Sequence, residues 1–373
     1  MIILKREQLL RFNGNKVKNK RVIIRVDYNV EIRNKKIEEV YRIKSSLRTI
    51  KFLLKNDVKQ ILIITHFGRP KDKEQEYSIK NLLPFLKKYI KNIQYFDCKP
   101  GKEIDIKKKI LILENIRFFK EEEKNDQNFA KSLAKLGDIF VNEAFSVSHR
   151  KHASVYGISK YLPTFFGFNF EEEINNLNKV FDYIKNKKSI GVVISGIKFE
   201  TKIELINKFI KKADVIILGG GIANTFLKAK GFEIGNSIYD KDYLEYAKKI
   251  YSNKIILPFD FITQNGHKYL CEVKKGEVIY DIGEESLKIF IEELKKVNLV
   301  IWNGPLGKIE DKKYSKGSLN FAKDLMKLKN KKIIGGGDTL KIFEKIKTKN
   351  TFLSTGGGAM LYYLAYENLP IFK

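Results

Sequence analysis

The chain has 373 residues, 43% of them hydrophobic and 12% aromatic, which is too long for one ordinary core and apolar enough to fill two, so a mostly disordered chain is excluded. No run of about 18 apolar residues occurs, and the start MIILKREQLL lacks a signal peptide's long apolar stretch and small-residue cleavage site, so a cytoplasmic location is expected. The net charge of +28 would draw polyanions, but the lysines are spread, and no zinc-finger spacing or aromatic-basic RNP pattern occurs; compositional drift accounts for the charge and no specific nucleic-acid partner is expected.

Short apolar runs alternate with amphipathic stretches along the whole chain. In the first half Val22–Ile24, Ile61–Ile64, Ile110–Leu113 and Ile139–Val141 read as buried strands, with helical patterns at Ser78–Ile90 and Asn128–Leu136. In the second half the strands are Ile190–Ile194, Val215–Leu218, Ile255–Leu257, Leu299–Trp302 and Ile333–Ile334, with helical patterns at Thr201–Ile210 and Leu319–Leu328. Strands apolar on both faces that alternate with helices imply parallel sheets covered on both sides, so each half is expected to be a three-layer α/β/α sandwich. The lysine runs Lys107-Lys108-Lys109 and Lys331-Lys332 stop just before apolar segments and read as solvated loop charges. Cys98 and Cys271 stand far apart and are expected to be small buried hydrophobes rather than a disulfide or a metal site.

The polar stretch Glu171–Lys188 has no strand beside it and reads as a connecting helix. It gives the division 1–170, 171–188 and 189–359, with the tail 360–373 expected to pack back on the first domain. Six of the 25 glycines precede the connecting helix, and three of the four histidines, so the two halves differ in chemistry.

The first half places arginines at strand ends, where arginine is scarce beside lysine. Arg25-Val26-Asp27-Tyr28-Asn29 ends the first strand, Thr65-His66-Phe67-Gly68-Arg69-Pro70 the second, and Glu114-Asn115-Ile116-Arg117 a later one; Arg150 follows Asn142–Phe145, and Arg42 is assigned to a loop. Guanidinium forks bind carboxylate and phosphate bidentately, so Arg42, Arg69, Arg117 and Arg150 with His66 suit a small substrate with several negative charges, although each alone could be a surface ion pair. His149 and His152 lack a third ligand of suitable spacing, which argues against a metal pair.

The second half carries glycine triplets 219–221, 335–337 and 356–358, each after an apolar strand and before a helix. Ligands of open α/β sheets bind beyond the carboxyl ends of strands, where glycines let backbone N–H groups approach a phosphate or a flat base; tight turns alone are the plainer reading. No P-loop string occurs, and Asn224 stands where a dinucleotide fingerprint needs its last glycine. Gly336-Gly337-Asp338-Thr339 brings a carboxylate and a hydroxyl to a glycine-rich turn, where Asp338 could hold Mg²⁺ or simply cap a helix. Lys198 and Lys202, four apart at a strand's carboxyl end, could neutralise a transferring phosphoryl group.

Together these residues resemble the phosphoglycerate kinase family. The strings RVIIRVDYNV, THFGRP, LILENIRFFKEEEKND, GDIFVNEAF, HRKHAS, LGGGIANTFLKAKG, VIWNGPLG, IIGGGDT and LSTGGGA stand in the family's order between Arg21 and Pro370. The resemblance implies two Rossmann-like domains joined by a hinge helix, and reversible phosphoryl transfer from 1,3-bisphosphoglycerate to ADP, giving 3-phosphoglycerate and ATP in glycolysis. It implies Mg²⁺ at Asp338, ADP or ATP as co-substrate, a monomer without membrane attachment, and closure about the hinge. Its substrate-binding residues fall on Asp27, Tyr28, Asn29, Arg42, His66, Phe67, Gly68, Arg69, Arg117 and Arg150. Its nucleotide side falls on Lys202, Gly219, Gly220, Asn303, Glu310, Gly336, Gly337, Asp338 and Thr339, and Arg42, Lys198 and Lys202 would act on the transferring group. Glu31, Glu143, Ser195, Thr201 and Lys308 depart from the family pattern, Lys308 standing at a usually apolar position; Ser195 and Thr201 bear most directly on the lysine geometry.

Overall fold

The computed structural model describes residues 13–34, 36–38, 40–97 and 108–372; Cys98, Lys107 and Lys373 lie outside them. The chain divides into two compact units, Met1–Asn175 with Tyr366–Lys373, and Asn176–Ala365. The division falls inside the helix Phe168–Lys185.

In the first unit the strands β1 (Arg21–Arg25), β2 (Gln60–Ile64), β3 (Ile93–Phe96), β4 (Ile110–Leu113), β5 (Ile139–Asn142) and β6 (Thr164–Phe166) form one sheet in the order β3-β4-β2-β1-β5-β6. Every pairing is parallel. Val22 to Arg25, Ile61 to Ile64 and Ile110 to Leu113 are buried throughout, as strands covered on both faces require. The helix Val40–Lys55 covers one face with Ile43, Ser46, Thr49, Ile50 and Leu53, a stripe at helical spacing. Arg42 therefore lies in the first turn of a helix and not in a loop. The stretch Ser78–Ile90 is not one helix: Pro84, which has no N–H to donate, sits at the start of the single turn Leu83–Leu86, and a 3₁₀ turn at Ile79–Asn81 precedes it.

Glu143 ties three elements of this unit together. Its buried carboxyl accepts from the Thr49 hydroxyl at 2.5 Å and from the N–H groups of Asn169 and Phe170 at 3.3 and 3.2 Å, so it caps the helix Phe168–Lys185 from beneath. Phe372 of the chain's end packs its ring 5.3 Å from Phe166 and 6.0 Å from Phe170, adding apolar cover at the same place.

The second unit has a matching parallel sheet of β7 (Ile190–Ile194), β8 (Val215–Leu218), β9 (Ile255–Ile256), β13 (Leu299–Asn303), β14 (Lys331–Gly335) and β15 (Thr351–Ser354), in the order β9-β8-β7-β13-β14-β15. Between β9 and β13 lies a small antiparallel sheet, β10 (Asp260–Thr263), β11 (Gly266–Tyr269) and β12 (Ile279–Ile282), that the sequence reading did not anticipate. Lys332 stands inside β14 and is buried, its Nζ donating to the carbonyls of Leu328 and Asn330 at 2.8 Å each. It is thus no solvated loop charge: its four-carbon stem packs in the sheet while the ammonium finds backbone acceptors. Cys271 is exposed rather than buried, because the 3₁₀ turn Leu270–Glu272 at the end of β11 stands outside the core. Among the described residues no helix is long and apolar enough to cross a membrane.

Asp260 anchors the small sheet. Wholly buried, it accepts from the Ser286 N–H at 2.7 Å, the Ser286 hydroxyl, the Glu285 N–H at 3.1 Å and His267 Nε2 at 3.0 Å, joining β10 to the start of the helix Glu284–Lys295. Although burial opposes its ionisation, these donors hold its carboxyl below the usual range. Asp260→Ala leaves several buried donors unpaired and is expected to cost about 2–4 kcal/mol, read as a lower urea midpoint with unchanged m-value.

Candidate functional site

Both large sheets run parallel, so every strand delivers its carboxyl-end residues to one edge, and the strand order reverses between β1 and β5 in one sheet and between β7 and β13 in the other. A crevice opens at such a reversal, because consecutive connections leave to opposite sides. The candidate residues lie at these two edges.

In the first unit Asp27 follows β1 and is the centre of a charged network. Its carboxylate takes Arg42 Nη1 at 2.5 Å, the Ser146 hydroxyl and the Asn29 N–H at 3.0 Å, with His66 Nε2 at 4.0 Å. Burial disfavours its charge, but Arg42, His66 and Ser146 outweigh that and hold it well below the usual carboxylate range. His66 is buried and pushed far down, first by burial and then by the positive charges of Arg25, Arg117 and Arg42, against the pull of Asp27. It is a neutral imidazole, and Arg25 Nη2 lies 3.2 Å from its Nδ1; an arginine can only donate, so Nδ1 accepts and Nε2 carries the proton.

Arg25 is a positioning residue that sequence reasoning passed over. It is buried and donates to the Ser154 hydroxyl at 2.9 Å and the Val26 carbonyl at 2.5 Å, while Ser154 in turn bonds the buried carboxyl of Glu122 at 2.6 Å. The signal was present: an arginine closes the otherwise apolar strand Val22–Arg25.

The loop after β2 is fixed by its backbone. Gly68 donates its N–H to Asn29 Oδ1 at 2.7 Å and accepts Arg117 Nη1 on its carbonyl at 2.7 Å, while the Asn115 amide donates to the Phe67 carbonyl at 2.6 Å. Gly68 has φ of 66°, and a Cβ there would meet the Tyr77 ring at 2.1 Å, so only glycine fits. Arg69, Arg117 and Arg150 line one open pocket of about 620 Å³ together with Lys71, Lys120 and Lys124. Arg42 and His66 stand apart from that pocket in the Asp27 network. Phe67 and Asn29 line a neighbouring groove, and Tyr28 turns into the core, its hydroxyl on Ser46 at 2.8 Å, so its side chain is removed from the candidate site.

In the second unit all the nucleotide-side candidates, Lys202, Gly219, Gly220, Asn303, Glu310, Gly336, Gly337, Asp338 and Thr339, line one pocket of about 700 Å³, and Lys198 lines it with them. Lys202 Nζ donates to Asn303 Oδ1, and Asn303 Nδ2 donates to the Gly335 carbonyl at 2.7 Å, so the last residue of β13 links Lys202, beyond β7, to the last residue of β14 across the strand reversal. Burial lowers the Lys202 ammonium to about 8. Thr339 accepts the Gly304 N–H at 2.9 Å, joining the two turns. Gly336 has φ of 110°, and a Cβ on Gly357 would come within 2.5 Å of its Cα, so the second and third glycine triplets are in close backbone approach.

Ser195 and Thr201 are absorbed locally. Ser195 Oγ donates to the Pro305 carbonyl at 2.6 Å and Thr201 Oγ1 to the Lys198 carbonyl at 3.0 Å, so both keep the lysine loop tied. Ile238, Phe261, Ile279, Tyr280 and Leu306 form an apolar wall that was not anticipated, because it comes from the small antiparallel sheet and its neighbours. Asp281 lies there too, its carboxyl raised to about 7 by burial despite accepting from the N–H groups of Gly317 and Ile282.

The first unit thus carries guanidinium groups in an open pocket and in the network around Asp27, and the second joins glycine turns and a lysine to an apolar wall. The family model for phosphoglycerate kinase matches residues 12–367. The chain belongs to the phosphoglycerate kinase family. It is 38% identical over 384 residues to the phosphoglycerate kinase of Finegoldia magna, covering 95% of each chain, and 38% identical to that of Wigglesworthia glossinidia brevipalpis, covering 98% of this chain and 96% of the relative. The solved phosphoglycerate kinase from Coxiella burnetii matches with a TM-score of 0.79 at 32% identity, covering 95% of this chain and 96% of that one. The one from Pyrococcus horikoshii OT3 matches at 0.83 and 28%, covering 95% of each. Phosphoglycerate kinase membership makes the chain an enzyme and a phosphotransferase.

Burial and the neighbouring arginines lower His149 to about 4 and His152 to about 3, so both are neutral with His66 at physiological pH. In histidine NMR spectra these three imidazoles are expected not to titrate above about pH 5. Their folded pKa values lie below the unfolded one, so unfolding takes up protons and stability contributed by the three falls as pH drops below about 6.5; an imidazole of this trio titrating near its ordinary value would contradict the assignment.

Proposed function

We propose that the phosphoglycerate kinase reaction of this chain runs with phosphoglycerate on the arginine cluster of the first unit and the nucleotide in the glycine-lined pocket of the second. The observation that carries the reading is the convergence of the nine nucleotide-side candidates and Lys198 on one pocket, with Lys202 held by Asn303 at the strand reversal. The apolar wall suits a flat base, the exposed Glu310 suits ribose hydroxyls, and the backbone of Gly336 and Gly337 with Thr339 suits phosphates.

In this reaction a terminal phosphate oxygen of ADP attacks the phosphorus of the acyl phosphate, and the bond from phosphorus to the carboxyl oxygen breaks, releasing 3-phosphoglycerate as a carboxylate. No proton moves at the reacting centre, so the protein supplies positioning and charge neutralisation. Arg69, Arg117 and Arg150 hold the substrate's remaining phosphate and carboxyl groups. Arg42, fixed by Asp27, and the two lysines stabilise the charge on the transferring group. Asp338 is exposed at the pocket and paired with Lys341 at 3.5 Å; among the described residues no cluster of three or more metal-ligating side chains occurs. That donor set fits Mg²⁺ carried on nucleotide phosphates and met by one carboxylate, where it would neutralise phosphate charge. The reading includes a cytoplasmic monomer.

Arg42→Ala is expected to lower turnover in a coupled assay of ATP formation roughly a hundredfold or more, with ADP binding by the same variant unchanged. Transfer between substrates on separate units also requires that they be brought together with water excluded. Nucleotide and 3-phosphoglycerate together are therefore expected to compact the protein in small-angle scattering; an unchanged radius of gyration would count against closure.

A further inference from the structure

The nucleotide pocket holds a cation that the transfer itself does not need. Lys308 follows Gly307 in the loop after β13 and lines the pocket on the side of the apolar wall. Its N–H donates to the Tyr280 carbonyl at 2.9 Å, which pins the residue to β12. Its Nζ lies 5.5 Å from the centre of the Tyr280 ring, and that ring stacks on Tyr314 with centroids 4.4 Å apart at 24°. The aromatic pair braces the long side chain. Among the described residues Lys308 makes no ion pair, and its ammonium rests over the face of the Tyr280 ring.

Of the other polar side chains on this side, the Tyr280 hydroxyl can both donate and accept, and the rest are engaged or of opposite character. Asp281 accepts from Gly317 and Ile282 N–H groups, Asn224 donates to the Ile238 carbonyl at 3.0 Å, and Glu310 is an exposed acceptor. A base seated against Ile238, Phe261, Ile279 and Leu306 therefore meets a donor-only ammonium at Lys308. Purines differ at this level in one respect: a C6 carbonyl accepts beside the acceptor N7, whereas a C6 amine presents a donor.

We infer that Lys308 sets the base preference of the pocket, favouring purines with a carbonyl at C6 over adenine. The inference rests on the reading of this pocket as the nucleotide site. Residue 308 is where the sequence departs from an apolar position, and the departure thereby becomes a specificity device: a braced ammonium rewards an acceptor and penalises a facing donor.

Isothermal titration of the full chain with ADP, GDP and IDP, for the natural protein, Lys308→Val and Lys308→Arg, tests it. Lys308→Val is expected to weaken GDP and IDP by roughly five- to tenfold while ADP binds as well or better, and Lys308→Arg is expected to keep the natural order. IDP lacks the 2-amino group, so a loss seen with GDP but not with IDP overturns the assignment to C6. Lys308→Val leaving the ratio of GDP to ADP affinity unchanged overturns the inference while the pocket reading stands. Natural protein that binds none of the three overturns the pocket reading and the inference with it.

Discussion

Parallel strand pairing is the constraint on which the rest depends. Each six-stranded sheet is parallel throughout, so each strand must be followed by a connection that returns the chain to the opposite edge. The carboxyl-end residues of all strands then collect along one edge, where the chain has just left the ladder and its polar groups still need partners. Asp27, His66, Asn115 and Asn142 in one sheet, and Ser195, Asn303 and Gly335 in the other, all stand at such exits. The order reversal chooses which exits face a crevice, and the two groups of candidate residues lie at the two reversals.

Charge in this protein is meaningful by placement and not by amount. Most of the lysines behind the net charge of +28 lie on the surface or in weak pairs three residues apart, such as Lys295 with Glu292 and Lys327 with Asp324, which contribute little to stability. A few buried ionisable groups carry the electrostatic design. Arg25, Arg42 and Arg117 surround His66, and the imidazole gives up its proton because burial and three guanidinium groups all disfavour a further positive charge. In the second unit Lys202 is partly stripped of water with a neutral asparagine as partner, and burial lowers its ammonium.

Much of the architecture was legible because it rests on local patterns. Apolar runs such as Ile61–Ile64 and Ile190–Ile194 can be little else than buried strands, and glycine triplets at three strand ends point to backbone approaching a ligand. Other features were misread where a local pattern is ambiguous. Val40–Lys55 carries a helical stripe diluted by Ser46 and Thr49, so Arg42 read as a loop residue. Lys332 read as solvated because a lysine at a strand's start usually is, whereas here the ladder begins one residue earlier and two carbonyls await the ammonium. Cys271 read as buried by residue type alone.

The sequence by itself determined the two α/β halves, the family, and which residue types could meet an anion, because hydrophobic period, glycine punctuation and scarce arginines are written along the chain. Tertiary structure alone decided which of those residues share a site. Arg25 became a positioning group only when β2 set His66 beside it, and Tyr28 left the candidate site when its hydroxyl met Ser46. Asp281, Tyr280 and Lys308 joined the pocket only when the small antiparallel sheet was laid against the turn after β13. Such neighbourhoods depend on pairings between segments tens to hundreds of residues apart, and no local pattern of residue types encodes them.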